Sequence, residues 1–265
     1  MVVVASASTA QATREFFEYH NGHNLYRTNF IGSGPEGRGG PLQLDAALTA
    51  KDPLSPMAFL IEQQPNAMGR PHFHRVNQWQ VFVDGDGTMG KHHVASLYLH
   101  YAGAYTTYGP IGAGEKGISY FTLRNEYDVG AQYMPGAREL LRDTRTSSRR
   151  EFQAEVGPPM ALEQLSHLKR PACRAVIGPE PDGIAAWLIS VPPGQTVDAP
   201  DPSTGRGQSC VVVAGELLVN GEALPAKSNL FVHPADGPLK VVASDKGVEL
   251  LCLQYPRHNA PLETH

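Results

Sequence analysis

Two stretches of this chain repeat each other at an offset of 130 residues, and a period that long means a duplicated domain rather than a solenoid. Gln78 returns as Gln208 and Gly85 as Gly215. Glu115-Lys116-Gly117-Ile118, with Leu123, returns as Asp245-Lys246-Gly247-Val248, with Leu253. Upstream, Ala58-Phe59-Leu60-Ile61 resembles Ala186-Trp187-Leu188-Ile189 at an offset of 128, a two-residue slip that a loop absorbs. The chain is therefore expected to fold as two copies of one module.

Each copy reads as all-β. In the first, the residue runs 58–63, 78–83, 95–101 and 118–124 are short, apolar or alternating, and bounded by Gly, Pro, Asn and Asp. In the second, the runs 186–191, 210–213, 216–220, 230–232, 239–243 and 248–254 have the same character. Short strands with frequent turn signals favour a sandwich or a barrel. Helical periodicity is confined mainly to 137–142 and 160–168, between the copies. Residues 1–54 read as an N-terminal extension, 55–135 as the first barrel, 136–178 as a linker with short helices, and 179–265 as the second barrel.

Only the first copy holds an evident chemical motif. In Pro71-His72-Phe73-His74-Arg75-Val76-Asn77-Gln78, two histidines stand one residue apart ahead of a strand. Residues i and i+2 of a strand share a face, so both imidazoles enter one cavity. With Gln78 from the adjacent strand they form a metal half-site. The second copy repeats Gln208 without the histidines, so one divalent metal per chain is expected, Fe, Mn, Ni or Zn. Gln208 also gives Gln78 a purely structural reading, a hydrogen bond inside the barrel. A further ligand candidate is His100, whose counterpart at plus 130 is the apolar Leu230.

The spacing His72-x-His74-x3-Gln78-x6-Gly85 resembles the first cupin motif, with Gln78 where that family has Glu. The second motif, Pro-x-Gly-x2-His, is approached by Pro110-Ile111-Gly112, with Glu115 where the His is expected. The chain is thus similar to a bicupin: two tandem cupin-like jelly-roll barrels, over about 55–130 and 180–256. By this resemblance Glu115 falls at a ligand position. An acidic residue before Lys-Gly recurs in both copies, however, and reads as a turn. Tyr108 lies near the missing histidine, as a ligand or as the residue that handles a proton. Gln80, Tyr98 and Arg124 are candidate pocket residues, in a Tyr-rich region suited to an aromatic or carboxylated ligand.

Bulk properties exclude several classes. A net charge of −4 without a basic tract argues against nucleic acid as the main partner. No P-loop, Gly-x-Ser-x-Gly or strand-borne Gly-x-Gly-x-x-Gly is present, so no nucleotide cofactor is expected; the glycines of 32–41 read as loop composition. Cys173, Cys210 and Cys252 have no paired spacing and read as small core residues in a reducing compartment. The opening Met-Val-Val-Val-Ala-Ser-Ala lacks a positive region and no window reaches transmembrane length, so the expected location is the cytoplasm. His92 and His93 are adjacent and face opposite ways on a strand, and His20, His23, His258 and His265 fall in terminal segments.

Two functions compete. The first is a metal-dependent enzyme on a small organic substrate, as a homodimer or higher homo-oligomer. Here the resemblance implies dioxygenase or oxidoreductase chemistry most often, and isomerase or lyase chemistry as well. The second is a non-catalytic cupin that binds a small metabolite.

Overall fold

The computed structural model describes residues 2–18, 24–32, 54–142, 144 and 149–257. Gly32–Pro41 lies, beyond Gly32, outside the described residues, as do His20, His23, His258 and His265. The chain divides into two units: the described residues of 13–155 form one, and those up to 12 together with 156–257 form the other. Both are built of antiparallel strands, so the all-β expectation holds. No described helix is long and apolar enough to cross a membrane.

In the unit of 13–155 the main sheet runs, in order, Glu151–Glu155, Tyr98–Ala102, Gln78–Met89, Ile111–Arg124, Met57–Gln63, Leu25–Ile31 and Glu15–Phe17. In the other unit the order is Val3–Ala5, Asn229–Val232, Gln208–Val219, Lys240–Gln254, Ala185–Val191 and Ala172–Ile177. Two pieces of the segment expected as a linker are thus edge strands. Glu151–Glu155 pairs with Tyr98–Ala102, and Ala172–Ile177 pairs with Ala185–Val191. The expected helices are short: a 3-10 turn at Arg138–Leu141 and an α-helix at Leu162–His167.

The residues that repeat in sequence occupy the same register in the two sheets. Leu123 is opposite Ala58, and Leu253 is opposite Ala186. Ile118 is opposite Gly85, and Val248 is opposite Gly215. The glycines have a steric reason to be there. Gly85 has φ +73° and Gly215 φ +66°, and a Cβ on either would stand 2.1 Å from the carbonyl oxygen of Gly117 or Gly247.

These bulges also explain the strand boundaries. The sequence reads 210–213 and 216–220 as two strands, and 239–243 and 248–254 as two more. Instead Gln208–Val219 and Lys240–Gln254 are continuous, with shifts in register near Gly215 and Gly247. A bulge bends a strand without ending it, although its glycine looks like a turn in sequence.

Each unit contains an apolar core. Phe59, Ile61, Phe82, Ile118 and Tyr120 form one core, and Ile189, Val212, Leu230, Leu250 and Cys252 lie in the other. Cys210 and Cys252 are buried cross-strand partners with free thiols, while Cys173 is exposed on its edge strand.

Candidate functional site

Strand alternation gathers the polar residues of the first unit on one inner surface. Trp79, Phe121 and Leu123 are buried on the opposite face. This leaves Gln78, Gln80, Thr122 and Arg124 lining a cavity of about 290 Å³. His72 and His74 line the same cavity. His72 forms an antiparallel bridge with Tyr108, through backbone hydrogen bonds of 3.1 and 3.0 Å, which sets the two rings 4.6 Å apart.

Arg124, only 1% exposed, organises this wall. Its Nε and Nη2 donate to Gln78 Oε1 at 2.9 and 2.6 Å. Because a guanidinium only donates, these bonds fix the amide orientation and turn Gln78 Nε2 toward Tyr108. Nε2 donates to the Tyr108 hydroxyl at 2.6 Å, so that oxygen accepts and its own proton is directed elsewhere. Arg124 Nη1 lies 3.3 Å from Asp128 Oδ2 but has no well-formed hydrogen-bond acceptor.

Asp128 in turn orients His74. His74 Nδ1 donates to Asp128 Oδ2 at 2.7 Å, so Nε2 is left as the acceptor nitrogen. Arg124 Nη2 is 3.2 Å from both nitrogens of that ring. A donor equidistant from both cannot lie along either in-plane lone pair, so it does not consume Nε2. His72 has the same tautomer, because Nδ1 donates to the Arg70 carbonyl at 2.7 Å.

The electrostatics divide the groups into two kinds. Burial and the adjacent Arg124 cation push the His74 imidazole below its usual range, outweighing the opposing pull of Asp128. Burial pushes the Tyr108 phenol well up, against Arg124 and the Gln78 hydrogen bond. Burial would also raise Asp128, but Arg124, the His74 hydrogen bond and the Gly130 amide prevail and hold it at about 2. At neutral pH the wall therefore carries a neutral imidazole, an intact phenol and a carboxylate–guanidinium pair.

The sequence-predicted residues are only partly brought together. His72, His74, Gln78, Gln80, Tyr108 and Arg124 line the cavity, but His100 and Tyr98 do not. His100 is fully buried, with Nδ1 2.7 Å from Gln80 Oε1 and Nε2 donating to Glu151 Oε1 at 3.1 Å. It positions Gln80, and its bond to Glu151 draws that carboxyl below its usual range despite partial burial. Tyr98 donates to Gln153 Oε1 at 2.5 Å on the edge strand. Glu115 is exposed in the bulged part of Ile111–Arg124. His92 and His93 are exposed.

Asp128, Arg27 and Tyr133 were not anticipated. Asp128 follows the strand among Asn125, Glu126 and Gly130, where sequence offers only turn residues. The spacing Arg124-x3-Asp128 is its one signal, and it becomes meaningful only once Arg124 is known to point inward.

The metal expectation can be tested on these donors. His72 and His74 each offer an Nε2 acceptor, but Gln78 Oε1 is engaged twice by Arg124, and His100 is turned away. Among the described residues no group of three or more His, Cys, Asp or Glu side chains is placed to hold an ion. An ion held on Nε2 of His74 would also have to share its surroundings with the Arg124 cation, whose Nη2 lies 3.2 Å from that nitrogen. A resident metal does not fit this donor set.

No family model and no curated protein matches the chain. Solved structures of the cupin superfamily do match. A candidate dioxygenase from Nostoc punctiforme has 9% identity and a TM-score of 0.59, over 97% of this chain and 83% of its own. Oxalate decarboxylase from Lactobacillus farciminis, as a formate complex, has 12% identity and a TM-score of 0.57, over 96% and 86%. Bacterial pirin from Escherichia coli, in complex with nickel(II), has 12% identity and a TM-score of 0.55, over 97% and 100%. At these identities the similarity is one of fold.

Proposed function

We propose that this cupin-fold protein is an enzyme that transfers a proton on a small organic substrate, with Arg124 as the fixed cation of its site. One observation carries this reading: a single cavity wall presents His74 and Tyr108, whose proton affinities are pushed in opposite directions. Paired groups shifted apart by their surroundings mark a base and an acid. Asp128 is the positioning residue that keeps the proton on Nδ1 of His74 and the lone pair on Nε2.

In this mechanism Nε2 of His74 removes a proton from the carbon beside a substrate carbonyl. The C–H electron pair forms the new carbon–carbon double bond, and the carbonyl oxygen becomes an enolate oxygen. The Tyr108 hydroxyl and the Arg124 charge stabilise that oxygen. Where the substrate has a β,γ double bond, delivery of the proton to its γ-carbon moves that double bond into conjugation with the re-formed carbonyl and completes an isomerisation. Where the β-carbon bears a leaving group, its departure with the bonding electron pair as the carbonyl re-forms completes an elimination. Neither outcome requires an oxidant. This is the isomerase or lyase branch of the sequence reading.

The experiment is solvent exchange: incubation in D₂O, with a chelator, of a panel of 2-oxo and 3-oxo acids, followed by proton NMR. Wild-type protein is expected to replace C–H by C–D in at least one member. His74→Gln should slow that exchange by about 10²–10⁴-fold. No exchange across the panel, or exchange indifferent to His74→Gln, contradicts the proposal.

The dioxygenase reading of the same cavity rests on the paired Nε2 acceptors of His72 and His74. It needs a divalent metal bound without Gln78 or His100, and oxygen uptake that stops on chelation would restore it.

Homo-oligomerisation belongs to the same proposal. Ala172, Cys173, Arg174 and Ala175 are successive residues of an edge strand and all are exposed, so neither face of that stretch is covered. A second copy would cover it, and light scattering showing only monomer contradicts this.

A further inference from the structure

The geometry points to Gln80 as a specificity-determining residue that donates its amide N–H to an oxygen of the substrate, with His100 and Glu151 as the positioning residues that hold the amide that way round. The inference rests on the reading of the cavity as a substrate site and adds a recognition group to it. Gln80 lines the cavity, whereas His100 is fully buried behind it.

The polarity of this row of side chains is set from its outer end. Glu151 and Gln153 lie two residues apart on the edge strand Glu151–Glu155, and so share a face. His100 is the register partner of Gln153 on one side and of Gln80 on the other. The row thus crosses the sheet from a partly exposed carboxylate to the cavity. A carboxylate only accepts, so both groups that meet Glu151 Oε1 donate: Gln153 Nε2 at 2.7 Å and His100 Nε2 at 3.1 Å. Gln153 turns its oxygen away, and that oxygen accepts from the Tyr98 hydroxyl at 2.5 Å.

On the inner side of the ring, Nδ1 of His100 is 2.7 Å from Gln80 Oε1. An amide oxygen also only accepts, so Nδ1 carries a proton too, and His100 is an imidazolium paired with Glu151. The buried cation has what a buried charge requires, a carboxylate on one nitrogen and an oxygen on the other. Its ring also lies 4.9 Å from that of Tyr108, within the range at which a cation is attracted to an aromatic face. A neutral His100, with its one proton kept on Nε2 by Glu151, would present a lone pair at Nδ1 and draw the amide nitrogen of Gln80 instead. Gln80 would then turn its oxygen to the cavity. The proton on Nδ1 therefore decides whether this part of the wall donates or accepts.

With Oε1 held by His100, Nε2 is the end of Gln80 left for the cavity. Gln80 follows two residues after Gln78, the partner of Tyr108, and stands about 7 Å from it along the strand. The oxygen that Gln80 takes is thus distinct from the one at Tyr108 and Arg124. The substrate class is a compound with two acceptor oxygen functions, such as the carbonyl and the carboxylate of an oxo acid.

The test is nitrogen NMR of the isotope-labelled full-length protein at neutral pH. Both ring nitrogens of His100 should carry protons. In Glu151→Gln, Nδ1 should lose its proton, and the side-chain NH₂ resonances of Gln80 should move as the amide turns over. Circular dichroism checks that this variant folds, and the wild-type spectrum decides the protonation without it. A bare Nδ1 in the wild type, or both protons retained in folded Glu151→Gln, overturns the inference. Titration of the wild type with 2-oxobutanoate and acetoacetate should shift the Gln80 NH₂ resonances, and no shift with either acid also overturns it. For a panel acid that exchanges deuterium, Gln80→Met and Glu151→Gln should each raise KM about tenfold, with the smaller effect on kcat. Glu151→Asp should recover part of that loss, and an unchanged KM in Gln80→Met counts against the inference. Shifted NH₂ resonances without exchange of any panel acid defeat the proton-transfer reading alone.

Discussion

Arg124 and Gln254 stand at the same step of the two sheets, one residue beyond Leu123 and Leu253, and each meets the glutamine that begins a neighbouring strand. Arg124 donates to Gln78 Oε1 at 2.6 and 2.9 Å, whereas Gln254 Oε1 accepts from Gln208 Nε2 at 2.9 Å. The first unit thus has a buried charge where the second has a neutral amide pair. That charge draws in Asp128, and Asp128 orients His74.

Breaking the charge pair from one side should be costly. Asp128→Asn leaves Arg124 buried without its carboxylate and is expected to destabilise the first unit by about 3 kcal/mol. The Asp128→Asn/Arg124→Gln double variant should regain part of that loss, because it restores a neutral arrangement like that of Gln208 and Gln254. Denaturant unfolding of the single and double variants measures the coupling, and simple additivity would contradict it.

Asp128 also predicts how stability responds to acid. Its carboxyl is held at about 2 instead of the usual 3.8, so the folded state gains stability that is fully present above pH 3.8. That gain, about 2 kcal/mol, is lost as pH falls from 3.8 through about 2. His74 adds an earlier step. Its imidazole is lowered from 6.5, so below that pH the unfolded chain binds the proton first and stability declines. In Asp128→Asn the lower step should vanish from the stability profile.

The same shift of His74 bears on turnover. A base that remains neutral below pH 6.5 should keep kcat/KM flat to more acidic pH than an ordinary histidine would. Tyr108→Phe should leave the fold intact, since Tyr108 packs as an aromatic beside His72 and His100, while lowering kcat by about 10²-fold or more. An unchanged kcat would remove the phenol from the mechanism.

The paired glycines give a test of the duplicated architecture. Gly85→Ala and Gly215→Ala each place a Cβ 2.1 Å from a backbone oxygen at positive φ, and each should cost about 3 kcal/mol or more. Gly194 has φ +67° with nothing within 4 Å of the added carbon, so Gly194→Ala should cost only about 1 kcal/mol. Similar losses for all three would show that the bulge contact is unimportant.

Much of this was legible in the chain. The register of Ala58 with Leu123 and of Ala186 with Leu253 follows the repeat, since residues that must pair across a sheet are retained together. His72 and His74 line one cavity although only His72 lies in a strand; Gln80 and Arg124, expected in the pocket, line it too, and Gln78, expected as a metal ligand, is the acceptor of Arg124. What sequence could not supply was the direction of hydrogen bonds between distant positions. Gln78 looks the same whether its oxygen faces a metal or a guanidinium, and that choice depends on Arg124, 46 residues later. His100 has a histidine's chemistry and an inward position, yet Glu151 on a neighbouring edge strand claims one of its nitrogens. Glu151 fell in a stretch that reads as linker, so the competition between the two acceptors was invisible.

The most direct measurement is the metal content of the purified protein after incubation with Mn(II), Fe(II), Ni(II) or Zn(II) and removal of the excess. If Arg124 is the cation of this site, elemental analysis should find well under one metal ion per chain for every ion tested, and the His72→Ala/His74→Ala double variant should look no different. About one tightly held ion per chain, lost in that double variant, would contradict the account and return the cavity to metal chemistry.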